Sequence, residues 1–508
     1  MKKQLISAVV AAAMITGAMG NFAIPVVPEI QSITASAASV ADFQGTYNVP
    51  VTLINATTGG ASMGNAALKQ TGTLVIDAQG KATVKLEFHS LTIGSDEGYL
   101  GFLRKKTDTG YKDLDVLDRY VGIYDIYNTP GGQYTDSNVV GMWYPKVLSI
   151  PVDVTIGGNG KVIGTGKNGT DVDVQVYVPV MEKIQAGGGT QPAILRISWD
   201  QMEEQKTSLA GSQLNVSGDI VLNNYIKASE EIANDPAARV VTTVDNYTSE
   251  SSFSSSNLTA NGYAFPVEVP ARCMAQDITI DVKNGAGEIV DSYKVSIREY
   301  AMRIISGDEF TEKQKNMAKA LLNYGAYAQT YFAVKNGEED PGKLPNDGFS
   351  KDDKKVTVKK SAFSDYDSST TGTASKVGLK YKGSCLTLAS ETAIKHFFMV
   401  GTGTNISDLT FTVKEEGAAT SHTVKPVLAD ASTNKYYIPI TGISAANLAK
   451  DYTLTVTKKG VSDSYSLTYC ALDYCKLVIN DENDDEDESV TALQNVAKAL
   501  YLLYTSSK

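Results

Sequence analysis

A serine set between glycines can serve as an acyl-transfer nucleophile, and Gly60-Ala61-Ser62-Met63-Gly64 matches that pattern literally. The chemistry requires a strand running into the serine, a helix leaving it and a histidine later in the chain. Ser62 instead follows a loop at 55–60. His89, the one histidine of its domain, sits inside a strand-like run with no further histidine before Asp200. The match therefore carries no hydrolase. Metal chemistry is not signalled either: there is no Cys-x-x-Cys, no histidine pair at ligand spacing and no Gly-Lys-Ser/Thr phosphate loop. The acidic run from Asp481 to Glu488 lacks the alternation and the turning glycine of a calcium loop, so it reads as a solvated linker. Cys470 and Cys475 are neighbours without declaring a pairing, while Cys273 and Cys385 sit in strand-like surroundings as buried thiols. No catalytic constellation emerges, and the expectation is a protein that is not an enzyme.

These residues belong to a chain of 508, in which 46 Lys+Arg against 57 Asp+Glu give a net charge of −11. That balance argues against nucleic acid as a partner. Hydrophobic content of 42% and charged content of 20% are near globular averages and exclude a wholly disordered chain. Four cysteines are too few for a disulfide-stapled scaffold, and three histidines too few for a histidine-rich metal store. At roughly 100–200 residues per domain, the length suggests about three domains. The start reads as a secretory signal: Met1-Lys2-Lys3, an apolar run from Leu5 to Gly20, then the small-residue site Ala35-Ser36-Ala37. The run, at about 16 residues, falls short of the ~20 that span a bilayer. The expectation is a 1–37 signal peptide and a mature protein without a membrane span, secreted or held at the cell surface.

The elements that must position any site are mainly strands. Val49-Pro50-Val51-Thr52-Leu53-Ile54, Thr73-Leu74-Val75-Ile76 and Thr83-Val84-Lys85-Leu86-Glu87-Phe88 have strand length and pattern, with Gln79-Gly80 turning a hairpin between the last two. Further strands are expected at 146–154, 171–178 and 193–199, so 42–201 reads as a β-sandwich. One long tyrosine-rich connection, 107–144, has no clear period and reads as a flap or a surface excursion. Beyond it an internal repeat appears. Asp291-Ser292-Tyr293 and Ala318-Lys319-Ala320-Leu321 recur as Asp463-Ser464-Tyr465 and Ala497-Lys498-Ala499-Leu500. Each copy follows a β-rich stretch, so 213–335 and 350–508 read as two related β-sandwich modules, each closed by helices (α+β), joined by a linker at 336–349. In the first module Thr311 and Gln314 form a capping-box pair, Met317, Leu321, Tyr324 and Ala328 share one helix face, and Asn336-Gly337 supplies the stop.

The order of features in the first domain is a strand, a short helical turn carrying Ser62-Met63, the Gly98-Tyr99-Leu100 segment, and a late hairpin ending in Ile194-Leu195-Arg196-Ile197. In that order it resembles the near-iron-transporter (NEAT) domain of bacterial cell-surface haem-uptake proteins. The resemblance implies an immunoglobulin-like sandwich that holds haem between the small helix and the last hairpin, with a hairpin tyrosine on the iron. Here Gly189 and Ala193 stand where the family's Tyr-x-x-x-Tyr belongs. Tyr120 and Tyr124 have that spacing but lie in the middle connection. Thioether sulfur is an accepted axial ligand of haem iron. The resemblance places Met63 and Met181 on the two walls of the slot, as iron ligands, and Ser62 against a haem propionate. The two modules are similar to repeats of unassigned function in secreted proteins of gut Firmicutes.

Two readings follow. One is haem binding and relay at the cell surface, in haem or iron acquisition, with haem or haem-carrying surface proteins as partners. It expects an apolar slot between the Ser62-Met63 turn and the last hairpin. The other is adhesion, or binding of glycan, protein or cell wall, by the same sandwich without haem. It expects Tyr111, Tyr120, Tyr124, Tyr127, Tyr134, Trp143 and Tyr144 to form an exposed aromatic face.

Overall fold

The computed structural model describes residues 39–508, apart from 94–95, 133–134, 166–169, 217–218, 339, 390 and 482–487. The expected signal peptide, Tyr134 and most of the acidic run lie outside the described residues. The chain is mainly β, with antiparallel sheets in sandwich arrangement and helices that follow the second and third β regions.

Alternate residues of a strand face one side, so period-two apolar patterns generate the first sandwich. Along Gly45–Asn55 it is Val49, Val51 and Leu53 that turn inward, and along Ala82–Glu87 it is Ala82, Val84 and Leu86. The strands form one hydrogen-bonded path from Gly110–Asp113 through Phe102–Thr107, Asp171–Tyr177, Thr190–Ile197, Gly45–Asn55, Thr71–Ile76, Ala82–Glu87 and Pro145–Val152 to Asp115–Arg119. Gly45–Asn55 serves both layers. Its first half pairs with Thr71–Ile76 and its second half with Thr190–Ile197. The changeover falls at Pro50, where the missing N–H removes a ladder donor. The 107–144 connection is more ordered than its sequence suggests. Gly110–Asp113 and Asp115–Arg119 are the two outermost strands of the path, and buried Leu114 alone carries the chain between them.

The two modules repeat their elements in the same order. The first long strand of each bulges at a glycine. Thr207–Asn215 shifts register between Leu209 and Gly211, and Leu379–Leu388 shifts between Tyr381 and Gly383. Both glycines have positive φ, 147° and 108°, which side chains rarely adopt. The serine after each bulge meets a fully buried polar group on the next strand: Ser212 Oγ lies 2.6 Å from Asn224 Oδ1, and Ser384 Oγ lies 2.5 Å from His396 Nδ1. The repeated Asp-Ser-Tyr falls at the last strand of each copy, Ile289–Val295 and Ser464–Tyr469. A shorter and then a longer helix follow: Ile297–Ser306 and Glu312–Asn336 in the first module, Ala471–Ile479 and Glu488–Ser507 in the second.

Glu312–Asn336 begins at the expected Thr311/Gln314 capping box and stops at Gly337, φ +78°. Every residue from Ala320 to Ala326 is buried, so the middle of this helix is enclosed rather than amphipathic. Leu321, Tyr324 and Ala328 join a core that also holds Val496, Ala499 and Leu500 of the second module. Its Ala318 and Leu322 instead pack with Ala301 and Met302, capped by Val121 of the first sandwich. The 336–349 segment is folded onto this helix: Gln329 Nε2 donates to the Lys343 carbonyl at 3.1 Å, and Asn346 Nδ2 donates to Asn323 Oδ1 at 2.8 Å.

The first sandwich meets the first module through charge. Lys146 pairs with Glu299 at 2.8 Å, and Arg303 bridges Glu299 at 3.1 Å and Asp118 at 2.7 Å. Burial alone would push the Glu299 carboxyl up, but Lys146 and Arg303 together hold it below the usual carboxylate range.

His396 gives the second module a pH dependence. Burial pushes its pKa down to about 3. The unfolded chain takes up that proton near pH 6.5, so between roughly pH 6.5 and 3 the unfolded state binds more protons and stability falls as pH drops. His396→Asn recreates the Ser212–Asn224 pairing and is expected to flatten that fall by up to about 1.4 kcal/mol per pH unit. Urea unfolding of both proteins at several pH values checks this, and parallel profiles would refute it.

Candidate functional site

The turn that carries Met63 is held from the first strand. Ser62 N donates to Leu53 O at 2.9 Å, and Leu53 N donates back to Asn65 Oδ1 at 2.7 Å. These bonds set the one-turn helix Met63–Ala66 across the end of the sandwich. Gly64 lies directly over Val176 of the last hairpin, where a Cβ would sit 3.6 Å from Val176 Cγ1. The small residue keeps that side of the turn open.

The opposite wall departs from the expected strand-to-strand hairpin. After Asp171–Tyr177 the chain makes a short helix, Pro179–Ile184, before Thr190–Ile197. Pro179 stands at the first helical turn, where its lost N–H costs nothing and its fixed φ suits a helix. Met181 is on this helix and half-buried. The return loop is clamped by one carboxylate: Glu182 accepts from Gly187 N at 2.6 Å and from Gly189 N at 2.9 Å.

Between these walls lies a narrow apolar slot of about 40 Å³ that opens to solvent. Met63, Met181, Phe88, Leu91, Tyr99 and Val178 are among its lining residues. The structure therefore brings Met63 and Met181 to one slot. Met63 is 64% exposed, so its thioether sits on the open side. Ser62 is not among the lining residues, and its side chain makes no capping bond to the turn it precedes. Phe88 and Leu91 were not anticipated as slot residues. The alternation that puts Phe88 in the core was visible, but the cavity it borders depends on distant segments.

The positions that hold tyrosine in the resembling family do not reach the slot. A Cβ at Gly189 would come within 2.8 Å of both the Tyr177 ring and Glu182 Oε2, and Ala193 is buried in the core. Tyr120 and Tyr124 are not slot residues either. Tyr99 does line the slot, but burial and then Glu97 push its phenol well above the ordinary value, which opposes a tyrosinate ligand. His89 adjoins Phe88 yet lines a different cavity.

The expected exposed aromatic face does not form. Tyr127 and Tyr144 are buried, Tyr120 and Trp143 are partly so, and of the described members only Tyr111 and Tyr124 are exposed. Inward-turned rings find acceptors for their hydroxyls nearby. Tyr144 donates to Asp125 at 2.9 Å, Tyr177 to Asp136, and Tyr120 to the Phe88 carbonyl at 2.7 Å. Tyr99 stacks on Tyr144 with centroids 5.0 Å apart and meets Tyr120 edge-on at 5.0 Å. This cluster backs the slot, sharing Tyr99, Val178 and Met181 with it.

All four cysteines are free thiols. Among the described residues, Asp451, Cys470 and Asp473 bring three potential metal ligands within 4.8 Å. Two of them already cap the Ala471–Ile479 helix, where Cys470 N donates to Asp473 Oδ2 at 2.8 Å. Burial pushes the Cys470 thiol up to about 12, so it is held as a thiol rather than a thiolate. No described helix is long and apolar enough to cross a membrane.

No family model matches the chain. Two structures of the NEAT5 domain of IsdX2, a B. anthracis haemophore in complex with heme, one of them a mutant, each align with 31% of this chain and 98% of their own. Their identity is 11% and the TM-score 0.19. A putative membrane anchored protein from Corynebacterium diphtheriae aligns over 84% of this chain and 88% of its own at 9% identity, TM-score 0.14. The chicken CNTN1 FN1–FN3 domains align over 76% and 94% at 8% identity, TM-score 0.12. At these values the likenesses assign no function.

Removing the Glu182 clamp frees two backbone donors. Glu182→Ala is expected to destabilise the first sandwich by about 1–3 kcal/mol and to speed amide exchange at Gly187 and Gly189. Hydrogen-exchange protection unchanged at both glycines would contradict the clamp.

Proposed function

We propose that this chain is a secreted or cell-surface haem-binding protein that takes up haem in its first sandwich and serves haem or iron acquisition without being an enzyme. The observation that carries this is the single apolar slot shared by Met63 and Met181. Its apolar walls suit a flat hydrophobic plate. When bound, haem supplies an iron that accepts thioether ligands. Met63 and Met181 are the residues to hold it, one from each wall. Ser62, whose hydroxyl is not spent on capping, is the partner for a propionate. Tyr99 stays a neutral phenol and contributes a ring face and water exclusion. Haem-carrying surface proteins are the natural exchange partners.

The test is absorption titration of haemin into the purified protein. A saturable, shifted Soret band is expected, and Met63→Ala and Met181→Ala should each change the band and weaken binding about tenfold, near 1.4 kcal/mol. A saturable band indifferent to both substitutions would remove the two ligands. No saturable band would end the haem reading.

A further inference from the structure

A second cavity, of about 120 Å³, lies where the first sandwich meets the first module. His89, Tyr120 and Lys146 line it from one side, Ser296 and Arg298 from the other, and Lys343 from the segment that joins the modules. Three carboxylates also face it, and each has a cation: Glu299 pairs with Lys146 at 2.8 Å, Asp277 with Lys294 at 3.7 Å and Glu87 with Lys69 at 3.6 Å.

Arg298 is treated differently. It is 5% exposed, yet no carboxylate lies within ion-pairing distance of it among the described residues. One terminal nitrogen donates to the Asp347 carbonyl at 2.7 Å, while its Nε has no hydrogen-bond partner. A buried guanidinium with an unmet donor is costly unless an anion answers it. Lys343, exposed on the rim, likewise forms no ion pair with the carboxylates of the cavity. The cavity also borders the N-terminus of the ten-residue helix Ile297–Ser306, whose dipole favours negative charge.

We propose that this junction cavity binds a small oxyanion, carboxylate or phosphate, with Arg298 Nε as its buried donor and Lys343 as its rim cation. Because the walls come from two domains, the bound anion ties the first sandwich to the first module. A ligand of the folded state also raises the unfolding temperature.

The experiment is calorimetric titration of the full chain with inorganic phosphate and, separately, with succinate, at constant ionic strength set by chloride. Saturable binding of either is expected, weakened at least about tenfold by Arg298→Lys, which keeps the charge and removes the Nε donor, and by Lys343→Ala. Binding of phosphate alone or succinate alone supports the site and names the anion class. If Arg298→Lys fails to fold, the exposed Lys343→Ala decides. No saturable binding, or binding equal in wild type and folded variants, overturns the proposal. Haemin binding in the slot is read independently and does not bear on this result.

Discussion

A helix whose middle is buried on every side has to be surrounded there, and that requirement organises most of this chain. Glu312–Asn336 presents Leu321 and Tyr324 to one core and Leu322 to another. Neither module can expose such a helix without placing a large apolar surface in water. The second module's terminal helix covers one flank, and the first module's shorter helix covers the other, with Val121 of the first sandwich closing that contact. The segment between the modules is folded down for the same reason. Asn323 is polar and buried, and Asn346 is the group that satisfies its oxygen. Two sandwiches that look like beads in the sequence thus share one core.

The junction with the first sandwich rests on a different force. Glu299 is half-buried and faces Lys146 and Arg303, while Gly122 approaches so closely that a Cβ would lie 2.0 Å from Met302 Cε. Partly buried ion pairs add little net stability but disfavour alternatives that would leave one charge alone. The junction therefore fixes orientation more than it adds strength. Its consequence reaches the slot through rings: Tyr120 lines the junction cavity and meets Tyr99, which lines the slot.

What was legible in the sequence was what local rules decide. Period-two strands, the Thr311/Gln314 box, the Gly337 stop and the Asp-Ser-Tyr repeat all appear where the residues point. The inward turn of the 107–144 tyrosines was misread because tyrosine is at home inside or outside. For Tyr144 the cue lay in Asp125, a carboxylate in the same segment placed to receive its hydroxyl. The enclosed helix was read as having one apolar face because alanine and glycine do not announce burial, yet Ala318, Ala320, Gly325 and Ala326 let neighbours approach from the other sides. A second repeat signal, Gly-Ser-x-Leu at Gly211 and again at Gly383, marks the bulge of each module and passed unread. The slot itself is non-local: Phe88, Leu91 and Val178 meet only after the sheets close.

The capping positions of the two shorter helices show how far the module copies have parted. Ser296 and Cys470 occupy the same place at the helix start, and Glu299 and Asp473 the same place three residues on. In the first copy the longer carboxylate reaches past its own helix to Lys146 of another domain. In the second, a side chain one methylene shorter folds back onto the backbone of Cys470. A duplicated socket has thus become one that receives a neighbour and one that has closed on itself. The asymmetry gives the array a polarity: among the described residues, the first module's carboxylate is spent on a neighbouring domain and the second module's on its own helix.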